Sequence, residues 1–254
     1  MAQHGRVEAV KKATELLACF TPHSQVLSIR SLSRLTGYPR STVHELCATL
    51  CEAGYLVLVP GRGYALGEAL VALGGQVMHR HNIIDATEGL LAPLVVADET
   101  WVLVGQLVGG WIVYLVRHVA PRHGRVNSRT GLRVPAHRTA CGKAALALLP
   151  AEEARSRIVA ACEADRMPLP DFAALERDFA VVRDTGFIVS ADWRPGRVAI
   201  GAPLIEGGGA VVGGISVGGP AAVLDENTMR RAAVRIVPIA ERIGMRLRDD
   251  AAVA

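Results

Sequence analysis

Two short stretches near the N-terminus carry apolar residues at helical spacing, with a glycine between them. Ile29, Leu32 and Leu35 recur every three residues, and Gly37 then supplies the left-handed position that ends a helix. Pro39 suits the first turn of a second helix. The apolar stripe of that second helix comprises Val43, Leu46, Cys47, Leu50 and Cys51. The pattern therefore predicts a helix-turn-helix over residues 27–52.

The opposite face of the second helix carries short or polar side chains, namely Ser41, Thr42, His44, Glu45, Ala48 and Thr49. Such a face is typical of a helix that enters the major groove of DNA, with Arg40 at its N-terminal end to meet a phosphate. A surface helix of any α domain has the same pattern and is the alternative interpretation.

The residues that follow favour the DNA-binding interpretation. Residues 54–59 and 64–66 are predicted to be short strands, and residues 60–63 form a Pro/Gly turn between them. A hairpin directly after a recognition helix is a wing, and Arg62 at its tip would reach phosphate or the minor groove. The predicted DNA-contacting residues are Arg30, Ser31, Arg34, Pro39, Arg40, Ser41, Thr42, His44, Glu45 and Arg62.

Helices are predicted on both sides of this region. A first helix over residues 6–20 should support the winged domain, and its predicted inward residues are Val7, Val10, Ala13, Leu17 and Phe20. Residues 67–80 are predicted to form an interdomain linker helix, although Gly74 and Gly75 weaken it. Asn82 can cap a further helix, whose predicted inward residues are Leu90, Leu91, Leu94 and Val95.

The remainder of the chain mixes strands with helices. A hairpin is predicted from Trp101–Val108 and Trp111–His118, joined by a two-glycine turn. Further strands are predicted at residues 187–190, 198–204 and 210–217, and further helices at 139–149, 171–185 and 225–247, the last kinked at Pro238. This arrangement indicates an α+β fold with a mostly antiparallel sheet. Glycines 207–209 lead into a strand instead of a helix, which argues against a dinucleotide-binding fold.

Composition and charge narrow the function classes. A chain of 254 residues, half of them apolar, is long enough for two domains. No apolar run is long enough to span a bilayer and the N-terminus lacks the apolar core of a signal peptide, so we expect a cytoplasmic protein. The five cysteines form no CxxC pair, and we expect reduced thiols and neither a metal nor a cofactor. Residues 1–66 hold seven Lys/Arg against four Asp/Glu, which supports nucleic-acid contact there.

These motifs resemble those of the IclR-type bacterial transcriptional regulators. The family pattern of the second helix matches residues 37–44 (GYPRSTVH), and the start and end of the wing match residues 54–56 (GYL) and 64–67 (YALG). The resemblance implies a dimer, or a dimer of dimers, that reads a pseudo-palindromic DNA operator. Glu45 stands where family members usually carry arginine, and an acid there repels phosphate or accepts from a cytosine amino group.

Two signatures in the second half are similar to the same family. They are residues 131–143 (GLRVPAHRTACGK) and residues 215–220 (ISVGGP). The resemblance implies a GAF-like effector-binding domain, in which a small molecule lies on the sheet under the loops that precede the signature helix. We therefore expect a winged helix-turn-helix domain at residues 1–66, a linker helix at 67–81 and a GAF-like domain at 82–254.

The charge pattern before the signature helix suggests the class of effector. Residues 117–138 hold six arginines, three histidines and no acid, and arginine forks suit carboxylates and phosphates. We predict a small acidic effector, anchored by Arg117 and by Arg133 or Arg138. A solvated loop or a subunit contact is the alternative role for these arginines.

The resemblance adds further pocket positions. Relatives that bind small oxo-acids have a cysteine at the position of Ala199 and an acidic residue near the position of Ser190. Both are missing from this chain, so we expect an acid larger than an oxo-acid, flanked by Trp111 and Trp193. The predicted effector-binding residues are Arg117, Arg133, His137, Thr139, Ala140, Cys141, Ser190, Asp192, Trp193, Ala199, Ser216 and Gly218.

The leading interpretation is an effector-controlled DNA-binding regulator, a repressor rather than an activator. Two alternatives stay open. One is a thiol enzyme centred on Cys141, because the start of a helix lowers a thiol pKa and His137 and Lys143 lie nearby in the sequence. The other is a DNA-binding protein with a vestigial ligand pocket.

Overall fold

The computed structural model describes residues 7–21, 24–119, 131–191 and 195–247, and leaves the side chains of residues 78–81 undescribed. The chain divides into two compact units, residues 1–80 and 81–254. Within the described ranges, no helix combines the length and apolar character that crossing a bilayer requires.

The first unit is a three-helix domain with a β-hairpin and a following helix. Its elements are α1 (Glu8–Leu17), α2 (Ile29–Thr36), α3 (Arg40–Glu52), β1 (Leu56–Val59), β2 (Gly63–Leu66) and α4 (Ala69–His81). Ser28 caps α2, because its Oγ accepts a hydrogen bond from the Ser31 amide at 3.2 Å. Gly37 ends α2 with φ at 78°, the left-handed conformation predicted for it. Pro39 immediately precedes α3 as its N-cap residue.

The core of the first unit lies between α1, α2, α3 and the hairpin. Val43 and Cys47, from the stripe predicted for α3, are fully buried. The face predicted for α1 was wrong in its first turns, because Val7 and Val10 are 65% and 61% exposed. The side chain that α1 buries completely is Leu16, so only the C-terminal half of the helix packs into the core.

The second unit surrounds a six-stranded sheet with helices. Its elements are α5 (Ile83–Ala86), β3 (Trp101–Val108), β4 (Trp111–Val119), β5 (Arg133–Pro135), α6 (Ala140–Leu146), α7 (Ala151–Ala164), α8 (Phe172–Thr185), β6 (Ile188–Ala191), β7 (Arg197–Ile205), β8 (Val211–Pro220) and α9 (Glu226–Arg246). The strand order is β5-β4-β3-β8-β7-β6, and each neighbouring pair is antiparallel.

Both faces of the sheet are buried, which gives this unit two cores. On one face, Leu103 and Tyr114 pack with α6, α7 and α8. On the other face, Ile215 and Val217 pack with α5 and α9. The alternation of side chains along each strand distributes apolar residues to both cores, so the unit is a helix–sheet–helix sandwich.

Three elements differ from the sequence-based expectation, namely the helix predicted from Asn82, helix α7 and strand β5. The helix predicted from Asn82 is a single turn, because the chain leaves it before Gly89, which has φ at 72°, and Pro93 follows in a short 3-10 turn. Leu90, Leu91 and Leu94 are nevertheless buried, as predicted. Helix α7 and strand β5 were not predicted. Helix α9 continues through Pro238 from Glu226 to Arg246.

Candidate DNA-contact surface and ligand site

The polar face predicted for α3 is exposed to solvent. Arg40, Ser41, His44, Glu45, Ala48 and Thr49 are exposed, and Thr42 is half-buried. Because Val43 and Cys47 anchor the opposite side in the core, the exposed residues form one continuous ridge along the helix. The ridge carries both charges, because Arg40 lies at its start and Glu45 in its second turn.

The other predicted DNA-contacting residues lie around α3 in the same unit. Arg30 and Arg34 on α2 are exposed, and so is Arg62 in the hairpin turn, where its amide donates to the Val59 carbonyl at 3.0 Å. Ser31 is half-buried, and its hydroxyl lies 3.1 Å from the capping Ser28 hydroxyl. The Ser31 hydroxyl therefore has an intrahelical role independent of any DNA contact.

Tyr38 holds the turn between α2 and α3 in place. Its hydroxyl donates to the Glu15 carboxylate on α1, and its carbonyl accepts from the Ser33 hydroxyl at 2.7 Å. The hydrogen bond to Glu15 raises the pKa of Tyr38 to about 12. Tyr38 was predicted only as part of the matched stretch at residues 37–44, and its contact with Glu15 was not predicted.

Strand register brings five of the predicted effector-binding residues onto one face of the sheet. In the first row, Arg117 on β4 pairs with Leu103 on β3, and Leu103 pairs with Ser216 on β8. The neighbouring row runs from Trp101 through Gly218 and Ala199 to Ser190. Cross-strand partners project to the same side, so both rows face α6.

The start of α6 lies directly on this face. Thr139 caps the helix by accepting from the Gly142 amide at 3.0 Å. A Cβ placed on Gly201 would lie 2.2 Å from the Ala140 carbonyl carbon, so only glycine permits this approach. Thr139, Ala140 and Cys141 are therefore next to the two rows, as the signature predicted, and all three are buried.

The floor of the predicted pocket is occupied by a side chain of the protein itself. A Cβ on Gly218 would lie 2.8 Å from Nε1 of Trp101, so the indole covers Gly218. The guanidinium carbon of Arg197 lies 4.8 Å from the centroid of the same indole. Sequence analysis assigned neither residue to the site. Arg197 was detectable, since it lies two residues before Ala199 and therefore on the same face of β7.

Cys141 is a buried thiol. Its Sγ lies 3.7 Å from Thr139 Oγ1 and 3.9 Å from the Tyr114 hydroxyl, and the residue is completely buried. Burial raises the pKa of the Cys141 thiol, and this outweighs the hydrogen bonds that lower it. The expectation that the start of α6 lowers this pKa was therefore wrong.

His137 is buried and neutral. Burial, together with the positive charges of Arg138 and Lys143, lowers the pKa of His137 to about 4. Its Nδ1 has no hydrogen-bond partner among the described residues, while the residue is only 7% exposed. His137 therefore cannot supply a positive charge to an anionic ligand at neutral pH.

A carboxylate that contacts the signature helix belongs to Asp178 on α8. The Lys143 ammonium lies 2.6 Å from Asp178 Oδ2 and donates to Ser190 Oγ at 3.0 Å. Ser190 is thus held by Lys143 at the end of the second row. This cluster is separate from the sulfur of Cys141, and the distance of Asp178 from residue 143 along the chain concealed it from sequence analysis.

Arg133 does not contribute to the two rows. It lies on the edge strand β5, where its guanidinium carbon is 4.4 Å from the centroid of the Trp111 ring. Its Nη2 forms an ion pair with Asp165 Oδ1 at 3.1 Å. The Trp111 indole also donates to Asp165, at 3.3 Å. Asp165 therefore holds both Arg133 and Trp111 at the sheet edge, apart from the two rows. Asp192 and Trp193 lie outside the described residues.

Comparison with protein families identifies both units. The IclR helix-turn-helix domain matches residues 9–60, and the C-terminal domain of the bacterial transcriptional regulator IclR matches residues 75–245. The HTH-type transcriptional regulator TtgV of Pseudomonas putida is 34% identical over 150 residues, a match that spans 58% of this chain and 57% of TtgV. The chain thus covers little more than half of that relative.

Other similarities cover nearly the whole chain. The HTH-type transcriptional regulator KipR of Bacillus subtilis is 25% identical over 94% of this chain and 97% of KipR. An IclR family regulator from Brucella abortus has the same fold, with a TM-score of 0.80, 23% identity and coverage of 96% and 93% of the two chains. An IclR homolog from Microbacterium hydrocarbonoxydans has a TM-score of 0.65, 20% identity and coverage of 92% and 99%. By its two matched domains, this chain belongs to the IclR family of bacterial transcriptional regulators.

Proposed function

We propose that this protein is a sequence-specific DNA-binding regulator that represses transcription and responds to a small acidic effector. The observation that carries the proposal is the exposed ridge of α3, with Arg40 at its start and the wing residue Arg62 in the same unit. Short polar side chains fit the major groove, and the two arginines suit phosphate contacts. The contact surface includes Arg30 and Arg34 on α2.

Assembly into a dimer would match a pseudo-palindromic operator. Helix α4 carries exposed apolar side chains that suit a contact between copies, since Val71, Leu73 and Val77 are 75%, 45% and 58% exposed. We assign DNA binding to residues 1–66, the linker helix to 67–81 and effector binding to 82–254. Two winged domains held at a fixed spacing would read half-sites one or more helical turns apart.

Effector control follows from the second unit. Arg117 faces the same side of the sheet as Ser216 and Gly218, and it is half-buried, which suits recognition of a carboxylate. The structural relative from Microbacterium hydrocarbonoxydans was crystallised with 4-hydroxybenzoate, an aromatic acid. A small acid that binds one arrangement of the dimer more tightly than another would change operator affinity.

The closed floor of the sheet supports a second candidate function. Because Trp101 covers Gly218, the space on which an effector would rest in a GAF-like domain is partly filled. The second candidate is therefore a DNA-binding regulator that has lost ligand control.

The test combines ligand screening with DNA binding. The purified full-length protein is screened by thermal shift against small carboxylates, sugar phosphates and aromatic acids, because saturating ligand raises the midpoint. Fluorescence anisotropy then measures its affinity for the DNA upstream of its own gene, with and without each hit. A hit that changes this affinity supports effector control. DNA binding without any hit favours the second candidate, and absence of DNA binding contradicts both.

A further inference from the structure

The indole of Trp101 lies against two neighbours in the described structure, Gly218 and Arg197. One face lies on Gly218, where an added Cβ would meet three indole atoms at 2.8–3.0 Å. The Arg197 guanidinium also lies over this ring, with its carbon 4.8 Å from the ring centroid. Trp101 is only 6% exposed, so a ligand cannot reach Gly218 unless this side chain moves.

Stacking orients Arg197 without using its hydrogen-bond donors. A guanidinium that lies flat on an aromatic ring directs its N–H groups outward in the ring-parallel plane, where a carboxylate can accept two of them. No ion pair or side-chain hydrogen bond involves Arg197 among the residues that the structure describes. Arg197 is half-buried, so the fork is positioned and partly desolvated before any ligand arrives.

A cavity of about 250 Å³ opens beside this pair. It is lined by Asp98, Glu99, Thr100, Trp101, Arg117, Val119, Arg197 and Pro220. Its two cations belong to residues on the α6 side of the sheet, whereas Asp98 and Glu99 are exposed at its rim. The volume is below the roughly 300–1,000 Å³ typical of drug-sized ligands, which limits the occupant to a small molecule.

We propose that Arg197 is the carboxylate-binding residue of the effector site and that Trp101 determines which acids fit, because the indole closes the sheet at Gly218 and positions the guanidinium. The ligand class is a small carboxylate that occupies the cavity between Arg197 and Arg117. This inference rests on the proposed effector control and specifies its site. It places the ligand beside the indole, displaced from the sheet floor formed by Ser216 and Gly218.

Calorimetric titration of the full-length protein tests the proposal. The probes are acetate, succinate and benzoate, each compared with its neutral amide, and 2-naphthoate as a larger acid. We expect at least one small carboxylate to bind saturably and its amide to bind about tenfold more weakly or worse. Arg197→Ala should weaken the binding of that carboxylate by about tenfold or more. Arg197→Lys should retain part of the affinity, because lysine keeps the positive charge but not the two parallel N–H donors of the guanidinium. Arg177→Ala, an exposed arginine on α8, is the matched control and should bind as the unchanged protein does.

Trp101→Val tests the role of the indole. Opening the floor above Gly218 should raise the affinity for 2-naphthoate relative to benzoate by about tenfold, since the added ring gains apolar burial. Circular dichroism verifies that the variant is folded. If Trp101→Val does not fold, the carboxylate affinities of the Arg197→Ala and Arg197→Lys variants decide whether the proposal holds.

Three results would overturn the proposal: unchanged carboxylate affinity in Arg197→Ala, equal affinity for a carboxylate and its amide, or no binding by any acid of the series. The same preparations are assayed for upstream-DNA binding. Absence of carboxylate binding by the unchanged protein, with its DNA binding intact, overturns only this inference, whereas absence of DNA binding in the unchanged protein overturns the proposed function.

Discussion

Tyr38 donates its hydroxyl proton to the Glu15 carboxylate, and this contact ties α1 to the turn that precedes α3. The contact raises the pKa of Tyr38 to about 12, above the value of about 10 expected in the unfolded chain. Its stabilising effect is therefore fully present below pH 10 and is lost as the pH rises from about 10 to 12.

Glu15→Gln should return the Tyr38 titration towards pH 10, because the carboxylate acceptor is the largest cause of the shift. Ultraviolet difference titration of the tyrosines measures this directly, with Tyr38→Phe to identify the late-titrating group. We expect Tyr38→Phe to lower the free energy of unfolding of the first unit by about 1 kcal/mol. A Tyr38 titration near pH 10 in the unchanged protein would contradict this account.

Arg40→Ala should weaken binding to the protein's own upstream DNA at every salt concentration. The lost phosphate contact should lower the slope of log affinity against log salt by about 1. Fluorescence anisotropy between 50 and 200 mM salt gives this slope, and Arg177→Ala serves as the control. An unchanged slope in Arg40→Ala would mean that the start of α3 does not meet a phosphate.

Glu45→Gln should increase affinity for random-sequence DNA while reducing discrimination in favour of the upstream site. The exposed carboxylate repels phosphates, and a cytosine contact through it is worth about 1–3 kcal/mol of discrimination. Parallel titrations with upstream and shuffled duplexes separate the two effects. If both affinities rise equally, Glu45 acts by repulsion alone and does not contact a base.

His137→Gln should flatten the acid dependence of stability in the second unit. Burial lowers the pKa of His137 to about 4, so the unfolded chain binds a proton at higher pH than the folded chain does. The free energy of unfolding therefore falls as the pH drops from about 6.5 to 4, on the order of 2–3 kcal/mol.

Tryptophan fluorescence in urea is the appropriate measurement, because the three tryptophans, Trp101, Trp111 and Trp193, all belong to the second unit. We expect His137→Gln to lose most of the slope between these pH values. An identical slope in the variant and the unchanged protein would assign the acid sensitivity to other groups.

Cys141 should resist alkylation in the folded protein at pH 7.5. Its thiol is buried and its pKa is raised, whereas Cys19 and Cys51 are half-buried and should react with iodoacetamide first. Peptide mass mapping gives the order of labelling, and denatured protein, in which all five cysteines should react, is the control. Rapid labelling of Cys141 would revive the thiol-enzyme interpretation.

Periodicity predicted the first unit well because its elements carry strong local signals. The apolar stripe of α3, Gly37 and the Pro/Gly turn of the hairpin are all contained within short windows of sequence. The error at Val7 and Val10 has a simple cause, since spacing shows which residues share a face but not how far along a helix the core extends.

The second unit was predicted less completely because its site depends on strand register. The resemblance named Ser216, Gly218 and Ala199 as pocket positions, and these residues lie on one face of the sheet. The positions of Trp101 and Arg197 follow only from which residues pair across β3, β8 and β7. Likewise, the density of arginines before α6 could not reveal that Asp165, on another helix end, engages Arg133.

The two edges of the sheet bear on how copies of the protein can associate. Strand β5 has three residues and ends in Pro135, which lacks an amide hydrogen, and β6 has four residues. These two short strands themselves offer few backbone groups for pairing with a strand of another molecule, and the faces of the sheet are covered by helices. If copies of this unit associate, we therefore expect the contact to use side chains of helices and loops. Oligomerisation can consequently be altered by surface substitutions that leave the sheet hydrogen bonds intact.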